Sequence, residues 1–180
     1  MSDDWKLLNT STASGASSVS FTELTGYKIF KWVWINCHPS IQDAAFQFQV
    51  NASGQTGYNE TITSTTFNAR HSESDATADL LYRTDTDQAQ GTSFQTISVD
   101  QNFDNDECTS GELFLFNPQS TVFVKHFYAT ANGIQNTPLF NNLRTAGYIN
   151  TTAAITELSL KFSSGNVDDG TIKQYGLVAT

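Results

Sequence analysis

Apolar and polar residues alternate along most of this chain, and the period of two predicts strands from end to end. Toward the close, Leu158, Leu160 and Phe162 alternate with Glu157, Ser159 and Lys161, and a second alternating run covers residues 171–177. Between them stand Ser-Ser-Gly-Asn and Asp168-Asp169-Gly170. Two strands and a turn follow, with Asp169-Gly170 as the pair that tolerates positive φ and reverses the chain. On this pattern the closing residues, through 180, are architecture, not a tail.

Upstream, residues 5–8 open a short strand, and "STASGASSVSFT" leads through a small-residue turn into a strand over 19–24. The longest apolar run, "YKIFKWVWINC", puts Tyr27, Ile29, Val33 and Ile35 on one face and Phe30, Trp32 and Trp34 on the other, as in a strand covered on both sides. Then Phe46, Phe48 and Val50 face one way and Gln47 and Gln49 the other, the pattern of a strand with one wet face. "ETITSTTFNARH" reads as strand, with a short helix over 63–70 as the competing assignment. Residues 80–83 are strand-like. The polar stretch 84–106 reads as a long excursion pinned by Phe94, Ile97, Val99 and Phe103.

Three strong segments come next, "GELFLFNP", "TVFVKHFYAT" and "RTAGYINTT", the first two joined at Asn117-Pro118-Gln119-Ser120, where Pro118 cannot donate to a ladder. The total is about ten short strands at the spacing of sandwiches and barrels. The expectation is an all-β protein, an antiparallel β-sandwich of jelly-roll type, in which two sheets bury such strands and leave only short edges.

Composition agrees. Thirteen Phe, six Tyr and three Trp stand against one Met and three Pro in 180 residues, a β-forming mixture, and the length suits a single domain over residues 1–180. No repeat or linker interrupts it. The net charge is −9, and residues 73–107 hold nine of the eighteen acids with Arg83 as their only Lys or Arg. Phosphate backbones and anionic lipid are repelled by such a chain, so neither nucleic acid nor a membrane surface is an expected partner. No run of 18 apolar residues exists, and "MSDDWKLLNT" lacks the basic and apolar regions of a secretory signal. The expectation is synthesis in the cytoplasm, which makes Cys37 and Cys108 free thiols ahead of a disulfide or metal ligands, and the four glycosylation sequons accidents of composition.

Candidate chemistry is sparse. His38, His71 and His126 are far apart, none beside a Gly-flanked serine elbow, and neither H-E-x-x-H nor C-x-x-C occurs. A glycosidase would need a carboxylate pair, yet Asp85, Asp87, Asp100, Asp104, Asp106 and Glu107 keep polar company and read as a solvated loop. Asp104-Asn105-Asp106 opens like a calcium loop, but Thr109 stands where Gly is required and Leu115 where Glu is required. A non-motif calcium site there, or at Asp168-Asp169, competes with ordinary turn chemistry. Trp5, Tyr58, Tyr148 and Tyr175 are candidates for stacking on sugar rings, against the usual role of aromatics as filler between sheets. No catalytic, cofactor-binding or metal site is assigned.

The phrases "WKLLNTSTASGASSVSFT", "LFLFNPQSTVFVKHF" and "AGYINTTAAITELSLKFSSGNVDDGTIKQYGL" are similar to those of small structural proteins from tailed bacteriophages, many of them marine. The resemblance runs nearly end to end and is carried by the Phe-Asn-Pro turn, the strand ending Lys-His-Phe, and the closing Gly-Thr-Ile-Lys-x-Tyr-Gly-Leu. It implies a non-enzymatic virion component, made in the host cytoplasm, with no cofactor and no site residues to carry over. Two classes stay open within it. A capsid decoration or cement protein on the particle exterior would contact copies of itself, most plausibly as a trimer, and other virion proteins such as the major capsid protein. A tail-fibre or receptor-binding module would instead offer loops to host surface polysaccharide. The first is favoured, since no shaft-forming repeat or heptad is present, and the 84–107 stretch is its expected contact or capping element.

Overall fold

In a computed structural model, which describes residues 4–22, 24–135 and 138–177, no helix occurs among the described residues and 63% of the chain is strand, against about a quarter in ordinary globular proteins. Thirteen strands are present among those residues: β1 (Trp5–Thr12), β2 (Val19–Phe21), β3 (Ile29–Pro39), β4 (Ala44–Ala52), β5 (Ile62–Ser72), β6 (Ala78–Tyr82), β7 (Ala89–Gly91), β8 (Gln95–Gln101), β9 (Thr109–Phe116), β10 (Lys125–Gln135), β11 (Leu139–Ile149), β12 (Ile155–Phe162) and β13 (Val167–Leu177). The all-β, antiparallel expectation holds, while the count rises from about ten to thirteen. The strands missed are β7 and β8, hidden in the polar 84–106 stretch.

Antiparallel pairing arranges the strands in two runs. In the first, β1, β13, β3, β9, β10, β11 and β5 lie side by side, and β6 and β7 both pair with β5. In the second, β2, β12, β4 and β8 do. A single residue pair, Gln135 of β10 opposite Gln101 of β8, links the two, so the whole curls toward a barrel. Aromatic rings fill the space between the runs: Trp34 lies 5.5 Å from Phe46 and Phe48 5.0 Å from Phe127 across it, and Phe46 lies 4.9 Å from its ladder neighbour Phe162. Each such buried ring contributes roughly 1.5–3 kcal/mol of transfer free energy.

Several expectations are corrected here. The two closing strands are not a hairpin: β12 pairs with β4 and β2, while β13 lies between β1 and β3, so the chain crosses from one run to the other. The turn is made around Gly165, at φ 67°. Asp169-Gly170 sits inside β13, where the register with β3 slips twice. Gly170 takes φ 121° there, and a Cβ on it would stand 2.6 Å from the Cys37 sulfur and 2.7 Å from the Cys37 Cα. Positive φ was read correctly and its use was not: it serves a bulge that lets β13 press onto β3. Residues 178–180, also read as architecture, lie outside the described residues.

Residues 63–70 are strand β5, not helix. The 84–106 stretch is no excursion, because β8 within it is paired with β4 and its Ile97 and Val99 are buried. The "TVFVKHFYAT" strand begins only at Lys125, and residues 117–124 form a loop. Gln49, expected in water, is fully buried: its Nε2 donates to the carbonyls of Glu60, Ser93 and Thr92 at 2.9, 3.1 and 3.3 Å and its Oε1 accepts from Val50 N–H at 2.9 Å. Two loops fold over β4 and replace the water that alternation promised. Lastly, β3 is covered on one face only: Phe30, Trp32 and Trp34 are inaccessible, whereas Ile35 on the other face is 40% exposed.

Gly170→Ala is expected to lower unfolding free energy by about 2–3 kcal/mol, combining left-handed backbone strain with a steric clash against β3. Urea denaturation of the purified variant measures it, and a loss below 0.5 kcal/mol, by about a factor of two in the equilibrium constant, would refute the close-approach role.

Candidate functional site

Alternation sorts each strand of the wider run into an inward and an outward set, and the outward set is unusual. Inward lie Phe30, Trp32 and Trp34 of β3, Leu113 and Leu115 of β9, Phe127 and Ala129 of β10, and Leu143 of β11, all buried. Outward, the same strands present Lys31 and Val33, Phe114 and Phe116, His126 and Tyr128, Arg144 and Tyr148. β5 and β6 continue the surface with Phe67 (43% exposed) and Tyr82 (56%), which stand opposite each other in the ladder.

These side chains contact one another across strands. Lys31 Nζ lies 4.5 Å from the Trp5 ring, 5.5 Å from Tyr175 and 5.7 Å from Phe114, an aromatic cage closed over its ammonium. Phe114 stacks on Tyr128 at 4.6 Å and 19°, and Phe116 meets the same ring at 5.8 Å. Beyond Tyr128 the small residues Ala146 and Thr65 make a floor, leaving a trough of about 470 Å³ walled by Phe116, His126, Tyr128 and Tyr148, with a second hollow of 190 Å³ continuing past Phe67 toward Arg144. Gln90 of β7, at φ 57°, fixes one wall by donating from Nε2 to Thr63 Oγ1 at 2.5 Å and Tyr148 Oη at 3.4 Å. On this face Lys31, Lys173 and Arg144 stand against Glu112 among the described residues, in a chain of net charge −9.

Three of the four aromatics singled out from sequence, Trp5, Tyr148 and Tyr175, meet on this face. Tyr58 does not. Its ring packs 6.2 Å from Phe94 and its hydroxyl donates to Glu157 at 2.9 Å, on the side of β4 and β12. Phe114, Phe116, Tyr128, Phe67 and Tyr82 were missed. Their signal was present in "GELFLFNP", where Leu113 and Leu115 alternate with Phe114 and Phe116 so that both faces are apolar.

The titratable residues are scattered among separate partners. His38 is buried beside the Pro39 carbonyl, His71 pairs with Asp75 at 3.2 Å, and His126 faces Tyr148. Arg83 holds Asp85 in a two-pronged ion pair of 2.9 and 2.7 Å, which draws that carboxyl below its usual range. Asp87 accepts from Tyr82 Oη at 2.6 Å. Asp100 accepts from Gln135 Nε2 at 2.5 Å, and burial raises its carboxyl against the pull of Arg83. Asp104 accepts from Asn102 Nδ2 at 3.3 Å, and Asp169 Oδ1 accepts from the N–H of its neighbour Gly170 at 2.6 Å. Among the described residues no three His, Cys, Asp or Glu are grouped to hold a metal.

Cys37 and Cys108 are free thiols. Burial pushes the Cys37 thiol up to about 12, and burial raises Cys108 as well.

No protein-family model matches this chain, and no curated protein matches it. Among solved structures, a protein of unknown function from Bacteroides ovatus is similar over 58% of this chain and 45% of its own, at 8% identity and a TM-score of 0.33.

Because only thiolate attacks disulfide reagents, native protein at pH 8 is expected to release less than one equivalent from a chromogenic disulfide within minutes, and two after unfolding in guanidinium. Prompt reaction of both thiols in the native state would contradict the burial of Cys37.

Proposed function

We propose that this chain is a non-enzymatic structural protein of a tailed-bacteriophage virion, a decoration protein on the capsid exterior, made in the host cytoplasm. Its core is a jelly roll. The strand order supports that reading: β1, β13, β3 and β9 on one side and β2, β12, β4 and β8 on the other follow the two interlocked Greek keys of an eight-stranded jelly roll. β5–β7 are then an insertion between the fourth and fifth core strands, and β10–β11 one between the sixth and seventh. Both insertions widen the same side.

The observation that carries the proposal is the outward aromatic face of that widened side. Fold alone does not assign a role, since jelly rolls serve capsids and lectins alike, but a surface can. Eight strand positions about 4.8 Å apart and roughly 20 Å of strand length give a face on the order of 700–800 Å², which matches the ~800 Å² per partner of a standard protein interface. Aromatic enrichment with few acids is the composition of an interface core. A protein partner, the coat protein or another copy of this chain, fits such a face better than a small substrate does. Self-association as a trimer is the expected assembly, because a symmetric oligomer engages a symmetric shell at several points.

A second reading has one observation in its favour. The trough floored by Ala146 and Thr65, with Tyr128 beside it and Arg144 at one end, could seat a sugar ring, which suits a tail module that recognises host polysaccharide.

Labelled protein incubated in parallel with bare capsids and with host cells distinguishes the two. The expected result is capsid binding, lost on replacing Phe114 and Tyr128 together by Ser, and no adsorption to cells. Cell binding that free host polysaccharide competes away, without capsid binding, would overturn the decoration role.

A further inference from the structure

We propose that Val122 and Phe123 form a preformed apolar plug that inserts into the Ala146 trough of a second copy of this chain; the proposal rests on reading the outward face as a contact surface and names what enters it. Both side chains point into solvent, 69% and 67% exposed, in the loop between β9 and β10. Exposed apolar residues are common singly. Two large ones side by side on a rigid loop are not.

The loop is held by bonds that leave no other role for its tip. Ser120 Oγ accepts from the N–H groups of Val122 and Phe123 at 3.1 and 2.9 Å. Gln119 Nε2 donates to the carbonyls of Leu24 and Ile155 at 2.7 and 2.8 Å, which ties the loop base to the core. Lys125, whose side chain is fully buried, donates from Nζ to the Phe123 carbonyl at 2.9 Å and to that of Thr151 at 3.2 Å. Burying a lysine is costly, and here the ammonium is a strut under the plug. A loop ordered in advance adds little conformational entropy cost on association, so apolar area at its tip converts efficiently into affinity.

Location selects the partner. The loop is bounded by Phe116 at its start and His126 just past its end, and both line the trough. Plug and trough are therefore neighbours on one rim, and the exposed Val122 and Phe123 side chains are not among the residues that line their own trough. Rotation about an axis beside that rim sets each plug over the next copy's trough, and the reciprocal contact closes a small ring in place of an open filament. Size and charge agree. The trough, about 470 Å³, has room for a phenyl and an isopropyl group. Residues 120–124 carry no charge, and the surrounding face holds Lys31, Lys173 and Arg144 against Glu112.

Sedimentation velocity across a concentration series tests the pairing with wild type, Phe123→Asp, Ala146→Trp, and an equimolar mixture of the two variants, each first checked for wild-type circular dichroism and melting. If Ala146→Trp does not fold, Ala146→Leu replaces it as the trough-filling change. Wild type is expected to form a dimer or trimer at tens of micromolar. Each variant alone should dissociate with Kd raised at least about 30-fold, the size of a hot-spot loss, and the mixture should regain a mixed oligomer, since one partner keeps its plug and the other its trough. Monomeric wild type, an unchanged Kd for Phe123→Asp, or a mixture no tighter than its components would each overturn the proposal. Capsid binding is scored on the same samples: monomeric wild type that still binds capsids would sink the plug and leave the virion role standing, whereas a plug-dependent oligomer that ignores capsids would do the reverse.

Discussion

Contact between rings of opposite strand runs is the constraint on which the rest of this structure depends. Trp34 against Phe46 and Phe48 against Phe127 bridge β3 to β4 and β4 to β10, and Phe162, the ladder partner of Phe46 on β12, extends the same ring layer. Among the described residues, only the Gln135–Gln101 pair and loops connect the two runs by chain or ladder. Edge-to-face ring pairs add about 0.5–1.5 kcal/mol each beyond their area, and they also set sheet separation. Once that spacing is fixed, inward positions of neighbouring strands must hold side chains that fill it, and β13 must press on β3 closely enough that only glycine fits at residue 170.

Where the ring-filled region ends, the interior changes character. Beside their apolar inward residues, β5 and β11 also turn Ser64, Thr66, Asn68, Asn141 and Thr145 inward, and β8 contributes Gln95, Thr96 and Ser98, all buried. Ser64 donates to Gln95 Oε1 at 2.7 Å, Gln95 Nε2 donates to the Thr86 and Thr96 carbonyls, and Asn68 bonds Asn141 at 2.9 Å. Polar groups that find partners in this way can be buried at small net cost, while Asn68 Oδ1 is buried without one. Hydrogen bonds are directional where apolar packing is not, so this half of the molecule positions β7 and its Gln90, and with them the trough wall at Tyr148.

The two kinds of interior explain what was legible from sequence. Period-two runs that feed the aromatic core, such as Phe46, Phe48 and Val50, were read with the correct inward face because apolar alternation is a local signal. Pairing is not local. The 158–162 and 171–177 runs look like a hairpin because they are adjacent and an Asp-Gly lies between them, yet whole-sheet register sends them to different neighbours. β8 escaped because Ile97 and Val99 are its only apolar residues, and Gln95, Thr96, Ser98 and Gln101, buried beside them, carry no apolar signature. Gln49 misled for the same reason: its burial is created by loops that alternation cannot see. Of the candidate face, Trp5, Tyr148 and Tyr175 were legible as aromatics outside an evident core, while Tyr58 looks identical in sequence and packs elsewhere.

The most informative error concerns residues 27–37. Apolar residues on both faces predicted a strand covered on both sides, and the composition was right although the chain itself covers only one. The same holds for β9, where Phe114 and Phe116 back the buried Leu113 and Leu115. A sheet with a wet face ordinarily carries polar residues there, and Thr, Ser, Asn and Gln are abundant in this chain. Aromatics placed outward in several adjacent strands therefore run against the composition available. Exposed apolar area of this extent is a liability for a free monomer. Its presence on a face whose cage and stacks are already ordered is the physical argument for proposing another polypeptide as its cover, because a surface with its side chains fixed in advance surrenders little further entropy when a partner arrives.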